Sequence, residues 1–559
     1  MSVIQAALIA LFYAFARSSF SAGLGNSVFA QPLVGGAIAG LILGDPARGA
    51  ALGAGLNLAT LGLSALRVRV APDIGLMGYV GVPVLMLAGI RTESPQTLAI
   101  LSGLAGLGFA LNFLAGAFNT VLAHWADFFA ERGDARIVTF VNIFPSQIWL
   151  FLISFFPALI LLLSADAQAI AAWSTRIPDW AAYAMRLFQQ LLIILGIAMS
   201  LRAVASGSAI AYVGLGWIVA QIGMDGSGSL PRAVPLFVFG AAIALIHAFI
   251  ARRTHGELPA APETEAGATE VDVVPLLPGK TERAAPVTLL SSFLLWQFFG
   301  GAAANFERAQ NIGLAAALSP VLSAFYPDKA RRAAALRRNL TYFATEPTLG
   351  AGLVGALVAA EGHVSAMHGD ATTEAATNAE LIGAKTAVMT VTGAAGDALV
   401  GGLATSVLVA VGAAVAAQGS LLGPLLFIVL QSALILGLAW VAFHAGHTWG
   451  LAGLNWADRN MWTRAGAFAA ERLGAFVLGS LLVRLAPLSF DTASVSLESA
   501  RVFIQPWLDA FLPRLIPLAL AIWMWWRMRT DRSSAAALSG LCAAGTLIVT
   551  GLMKALGWL

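Results

Sequence analysis

The chain alternates between apolar runs and short polar connections from one end to the other. Longer apolar runs lie near 74–90, 97–122, 148–164, 185–201, 209–224 and 233–251. Others lie near 349–360, 381–394, 398–417, 421–443, 466–486, 511–526 and 534–557. Helices of about 20 apolar residues cross a bilayer. Two early runs are shorter: 33–43 ends at Gly44-Asp45-Pro46, and 49–63 follows it. Half-length runs about such a turn predict a re-entrant hairpin rather than two spans. The residues from Met1 to Ala16 are apolar without a charged leader, and read as a retained membrane segment. A charged loop is expected over 127–136.

The pattern breaks in two places. Residues 252–286 are rich in proline and acidic residues and open on Arg252-Arg253. Such a stretch buries too little apolar surface to fold alone, and reads as a linker. Arginines directly after an apolar run place it on the cytoplasmic side. The expected organisation is therefore a membrane unit over 1–251, a linker over 252–286 and a second membrane unit over 287–559. The other break is a polar island over 305–347. It holds Asn305, Glu307, Arg308, Gln310, Asn311, Tyr326-Pro327-Asp328, a basic run from Lys329 to Arg338, and Thr345-Glu346-Pro347. Read as a helix at 100° per residue, Glu307, Gln310 and Asn311 share one face. A carboxylate and two amides on one face offer the donors and acceptors that a polyhydroxylated ligand requires. A solvated helix at the membrane edge has the same pattern.

Composition fixes the class. Of 559 residues 58% are hydrophobic and 11% charged, with mean hydropathy +0.81; soluble chains carry about 25% charged residues. The fold class is an all-α polytopic membrane protein of two helical units with re-entrant or broken hairpins. Its 57 glycines suit close helix packing and broken helices. The single Cys542 excludes an internal disulfide framework. His124 with Asp127, and His444 with His447, lie a helical turn apart without a third ligand at metal-like spacing, so no metal and no cofactor is expected. Motifs for phosphate cradling, zinc proteolysis and serine nucleophiles are missing from the sequence. Nothing in it suggests nucleic acid.

Ionisable groups inside apolar stretches are functional candidates by default. Asp73, after Pro72, is the foremost in the first half, and Asn57 is a polar group inside the expected hairpin. Gly44-Asp45 and Gly396-Asp397 interrupt apolar runs in the two halves, as paired broken segments do around transporter sites. The basic run from Lys329 to Arg338 reads as a cytoplasmic orientation signal, or as a dock for an acidic or phosphorylated partner. Trp523, Trp525 and Trp526 before Arg527 and Arg529 read as an interfacial belt in contact with lipid.

Asn305-Phe306-Glu307-Arg308 with Gln310, Tyr326-Pro327-Asp328, Thr345-Glu346-Pro347, Gly396-Asp397 and the run from Gly419 to Phe427 resemble the IID component of mannose-type sugar phosphotransferase systems. Gln31-Pro32-Leu33, Leu43-Gly44-Asp45, the run from Gly53 to Asn57, Ala71-Pro72-Asp73 and His124 to Asp127 resemble the IIC component. The resemblance implies a fused IIC–IID permease in the cytoplasmic membrane, without catalysis of its own. It would carry a hexose-like sugar for phosphorylation by a separate IIB protein, itself served by IIA, and assemble as trimers. The implied sugar site lies between the halves, where Gln31, Asn57 and Asp73 meet Asn305, Glu307 and Gln310, with Glu346 and Asp397 as further candidates. The family usually has glutamate at the position of Asn57, and histidine or glutamine at that of Glu346, so the usual specificity does not carry over. A transporter uncoupled from phosphorylation and a non-transporting receptor or scaffold are the other functional classes.

Overall fold

A computed structural model describes residues 1–25, 28–60, 72–90, 95–166, 178–204, 209–222, 240, 242–250, 284–366, 381–386, 388–389, 392–393, 396–459, 461–485, 494–497, 500–503, 515–530 and 535–555. Nearly all of the linker, including Arg252-Arg253, lies outside the described residues. In the first half the helices are α1 (Val3–Arg17), α2 (Ser19–Gly25), α3 (Pro32–Leu43), α4 (Pro46–Ala59), α5 (Ile74–Ala88), α6 (Pro95–Ala130), α7 (Ala135–Ser164), α8 (Asp179–Val204) and α9 (Ile210–Ile222). The second half adds α10 (Pro286–Phe299), α11 (Asn311–Phe325), α12 (Lys329–Asn339), α13 (Pro347–Ala366), α14 (Ser406–Ala416), α15 (Leu422–Arg459), α16 (Met461–Leu485), α17 (Leu515–Thr530) and α18 (Ala535–Ala555). Two short antiparallel strands, β1 (Ser494–Leu497) and β2 (Ala500–Phe503), are an element the sequence pattern did not announce.

Six helical stretches among the described residues are long and apolar enough to cross a membrane, and the bent pair α1–α2 makes a seventh candidate. Their outward faces are apolar too, with Phe109, Phe113, Phe140, Phe144, Ile148 and Val441 all exposed. Helices apolar on every side suit lipid, not water. The protein is an integral membrane protein.

The expected hairpin forms, and its cause is local. Gly44 adopts φ 88°, which a side chain disfavours, and ends α3. Asp45 then caps α4 by accepting from the Arg48 N–H, and Pro46 takes the first helical position. At 1.5 Å per residue each arm is roughly 20 Å long, short of the ~30 Å hydrocarbon layer. The arms cross through small-xxx-small pairs, Gly36 and Gly40 on α3 against Gly49 and Gly53 on α4. A Cβ on Gly49 would sit 2.5 Å from the Gly36 carbonyl oxygen, so no side chain fits without parting the helices.

The charged loop expected over 127–136 is shorter than that. α6 continues to Ala130 and α7 begins at Ala135, with Gly133 turning at φ 70°. Charged side chains are tolerated on helix ends that reach past the apolar layer.

The two sequence units do not pack as two cores. Leu122, Ala126 and Val138 of the first half share a buried cluster with Trp296, Leu318 and Leu357 of the second. Val34 and Ala54 pack with Val409 and Phe427, and Ile197 and Val213 with Phe476 and Trp525. The cluster around Ile9, Leu56 and Leu85 belongs to the first half alone. Among the described residues the halves meet along a long apolar seam.

Candidate functional site

In the first half, Gln31 and Asn57 come together across the hairpin. Asn57 accepts from the Leu33 N–H at 2.9 Å and donates to Gln31 Oε1 at 3.1 Å. Both are buried, so each polar atom needs such a partner. Asp73 lies close by, because its turn packs Gly75 against Ala30. Its carboxylate accepts from Gly75 N–H at 2.9 Å and Tyr13 hydroxyl at 2.8 Å, and pairs with Arg17 Nε at 2.8 Å. The Arg17 and Asp73 side chains are 5% and 7% exposed. Arg17 also donates to Asn112 at 2.6 Å and Ser154 at 3.0 Å, so one guanidinium ties α1 to α6 and α7. Arg17 was missed by the sequence reading. The available signal was an arginine closing an apolar run, immediately before a serine pair.

The expected helical face of Glu307, Gln310 and Asn311 does not exist; α11 starts only at Asn311. Asn305 explains why. Its side-chain oxygen accepts from the Glu307 and Arg308 N–H groups at 3.2 and 2.8 Å, a local bond that competes with helix. Ala309 then turns at φ 53°, and the Asn305 N–H closes the loop onto the Ala309 carbonyl at 2.9 Å. Asn305 Nδ2 also donates to Asn311 Oδ1 at 2.8 Å. Asn305 is thus occupied in shaping the backbone.

The loop lies against residues 341–346. Gln310 N–H donates to the Phe343 carbonyl at 2.7 Å, and Gln310 Oε1 accepts from Thr345 N–H at 3.0 Å. On its other side the same segment meets a helical stripe. Lys385 donates to Thr341, Met389 Sδ accepts from Ala344 N–H, Thr392 bonds Thr345, and Gly396 packs on Glu346. Glu346 is buried, accepts from Thr348 hydroxyl at 2.7 Å and Leu349 N–H at 2.9 Å, and so caps α13. A carboxylate is favoured at that end of the helix dipole. Gln310, Glu346 and Gly396, with Asp397 next in the chain, therefore belong to one layer.

Glu307 is outside it. Its carboxylate sits 3.3 Å from His124, with side chains 46% and 62% exposed. Neighbouring Arg308 pairs with Asp127, at 2.9 Å for one of two contacts, and that hydrogen bonding raises the guanidinium above its ordinary range. Asp73 touches α6 at Gly108, 16 residues before His124, which is about 24 Å along the helix. The six residues expected to converge between the halves do not converge.

A cavity of about 150 Å³ does lie on the seam. Arg17, Ser19 and Gln147 line it from the first half, and Trp296, Gln297 and Thr348 from the second. Arg17 is the partner of Asp73, and Thr348 that of Glu346. Two expected carboxylates thus stand one residue behind opposite walls. Gln147 and Gln297 were not anticipated; each is an amide inside an apolar helix, a signal that was present in the sequence.

Two family profiles match the chain in succession. Residues 3–246 match the sorbose-specific IIC component of the phosphotransferase system, and residues 286–557 match the mannose/fructose/sorbose family IID component. The sorbose-specific EIID component of Lacticaseibacillus casei is 29% identical over 255 residues, 45% of this chain and 88% of that protein. The mannose-specific EIID component of Escherichia coli K12 is 30% identical over 237 residues, 40% of this chain and 79% of that protein. The mannose-specific EIIC component of the same strain is 22% identical over 255 residues, 45% and 92% of the two chains. Among solved structures, one chain of the mannose transporter ManYZ in complex with microcin E492 aligns over 50% of this chain and 98% of its own, at 24% identity and TM-score 0.28. The chain belongs to the mannose/fructose/sorbose family of phosphotransferase-system permeases, with its IIC and IID components joined in one polypeptide.

Proposed function

We propose that this chain carries a hexose-like sugar across the cytoplasmic (inner) membrane and presents it to a separate IIB protein for phosphorylation, with IIA recharging IIB. The observation that carries this reading is the succession of IIC and IID profiles in a chain whose halves share their buried cores. A carrier of one component would leave those cores incomplete. The domain division at the linker over 252–286 and assembly into trimers belong to the same reading. The sugar site is assigned to the seam, with Gln31, Asn57 and Asp73 behind one wall and Gln310, Glu346 and Asp397 behind the other. Asn305 shapes the loop next to it, and Glu307 has no part in it. Buried donors and acceptors confer selectivity there, because a polar group left unpaired costs about 1–3 kcal/mol.

Calorimetric titration of the purified chain with a panel of hexoses and hexosamines tests this. At least one sugar is expected to bind, and Glu307→Gln to bind it with unchanged affinity. A panel without a binder would overturn the functional reading. A tenfold loss in Glu307→Gln would return that residue to the site.

A further inference from the structure

The loop from Asn305 to Gln310 is held from two sides. On one side it rides on α6 of the first half. The Phe306 ring takes the place of the side chain that Gly116 lacks; a Cβ there would come within 2.5 Å of it. Phe113 packs on the same ring, with centroids 5.5 Å apart. The Phe306 N–H donates to Thr120 Oγ1 at 3.3 Å, and Asn119 Nδ2 donates to the Ala304 carbonyl at 3.0 Å. Asp127 accepts from both arms of the Arg308 guanidinium. Phe113, Gly116, Thr120 and Asp127 follow one face of α6.

On the other side the loop is bonded to the segment 340–345. The Leu340 carbonyl accepts from Arg308 Nη1 at 3.2 Å and from Asn311 Nδ2 at 2.9 Å. The Phe343 N–H donates to the Arg308 carbonyl at 3.2 Å, and the Phe343 carbonyl accepts from the Gln310 N–H at 2.7 Å. Gln310 Oε1 accepts from the Thr345 N–H. Arg308 is common to both sides. Its side chain joins Asp127 of the first half to the Leu340 carbonyl of the second, and its own carbonyl holds Phe343.

Arg308 and Asp127 are 24% and 37% exposed. An ion pair this open to solvent adds little to stability, so its worth lies in direction. A guanidinium bonded to a carboxylate by both arms has one orientation. That orientation aims Nη1 at Leu340 and sets the loop on which Phe343 and Thr345 hang. The segment ends in Glu346, the cap of α13. Glu307 is a contrast on the same loop: its carboxylate meets His124 of α6 and, among the described residues, makes no bond to the segment.

We infer that Asp127 and Arg308 are positioning residues: from α6 of the IIC half they fix the segment of the IID half that carries Thr345 and Glu346, and thereby tune sugar affinity without touching the sugar. This rests on the permease reading and adds to it a coupling from one component into the other.

The full chain, purified in detergent, is compared as wild type, Asp127→Asn, Arg308→Lys and Glu307→Gln. Melting temperature, affinity for the same panel of hexoses and hexosamines, and amide hydrogen exchange over residues 340–346 are measured for each. Arg308→Lys keeps the charge but not the fork, and Asp127→Asn keeps the shape with one acceptor oxygen. Both are expected to melt as wild type does. Their Phe343 and Thr345 amides are expected to exchange about tenfold faster, and sugar to bind roughly three- to tenfold more weakly. Glu307→Gln is expected to change none of the three. If both fork variants bind sugar and protect those amides like wild type, the inference is overturned, although the permease reading stands. Losses that appear only together with a lower melting temperature make the pair structural and overturn it as well. So does an equal loss in Glu307→Gln, which would trace the effect to the charge of the loop. Should Arg308→Lys fail to fold, Asp127→Asn decides alone. If no sugar binds wild type, the permease reading fails and the affinity claim with it, while the exchange rates still decide whether the pair fixes the segment.

Discussion

Glu361→Leu is expected to lose most of the folded protein. Glu361 is fully buried in α13 and pairs there with Arg338 of α12 through two contacts, one of them 2.9 Å. It also accepts from Asn339 at 2.7 Å and from the Tyr326 hydroxyl at 2.9 Å. Leucine removes every one of these acceptors. Arg338, 6% exposed, loses both carboxylate contacts, with the buried Lys385 nearby at its carbonyl. A buried charge stripped of its partner costs about 3–5 kcal/mol, a large share of the roughly 5–15 kcal/mol that holds a protein folded. The monodisperse fraction after detergent extraction is expected to collapse, and the melting temperature of the remainder to drop sharply. Adding Arg338→Met should recover much of the loss, because a pair replaced by apolar groups leaves no charge stranded. A single variant as stable as wild type would mean that the cluster is not closed.

Asp73→Leu is expected to be nearly as damaging, for the same reason, since it strands Arg17 at the junction of α1, α6 and α7. The milder Asp73→Asn keeps the side-chain shape and can still accept from Gly75, so the protein should fold. Its sugar affinity is nevertheless expected to fall roughly tenfold, because loss of a hydrogen bond to a charged group, about 1.5–3 kcal/mol, loosens the Arg17 wall. Asp73 then acts through Arg17 rather than on the sugar. Arg17→Lys should reproduce the loss, and the double variant should be no worse than the poorer single one. Additive losses would put Asp73 in direct contact with the ligand.

The parts of this architecture written into short stretches were legible in the sequence. Gly44-Asp45-Pro46 between half-length apolar runs dictates a hairpin because its residues supply a left-handed turn, a cap and a helix start in order. Family motifs led to Gln31, Asn57 and Glu346, which are buried, and to Gln310, which is half-buried; each is hydrogen-bonded. The polar island was misread because 100° periodicity assumes a helix, while Asn305 bonds its own backbone two and three residues ahead. Arg17 and Glu361 were passed over since each is a lone charge whose partner lies 56 or 23 residues away, in Asp73 and Arg338. The shared cores were equally hidden, because a hydrophobic run records that it is buried and not against which half.

The joined IIC and IID halves are expected to hand the sugar to a separate phosphocarrier. Uptake of labelled hexose is measured in proteoliposomes of the purified chain, with IIA, IIB and a phosphoryl donor enclosed in the lumen or left out. Accumulation of hexose phosphate inside, only when the phosphocarriers are present and abolished when IIB alone is omitted, is the predicted result. Equal entry of unmodified sugar with and without the phosphocarriers would contradict it and leave an uncoupled transporter.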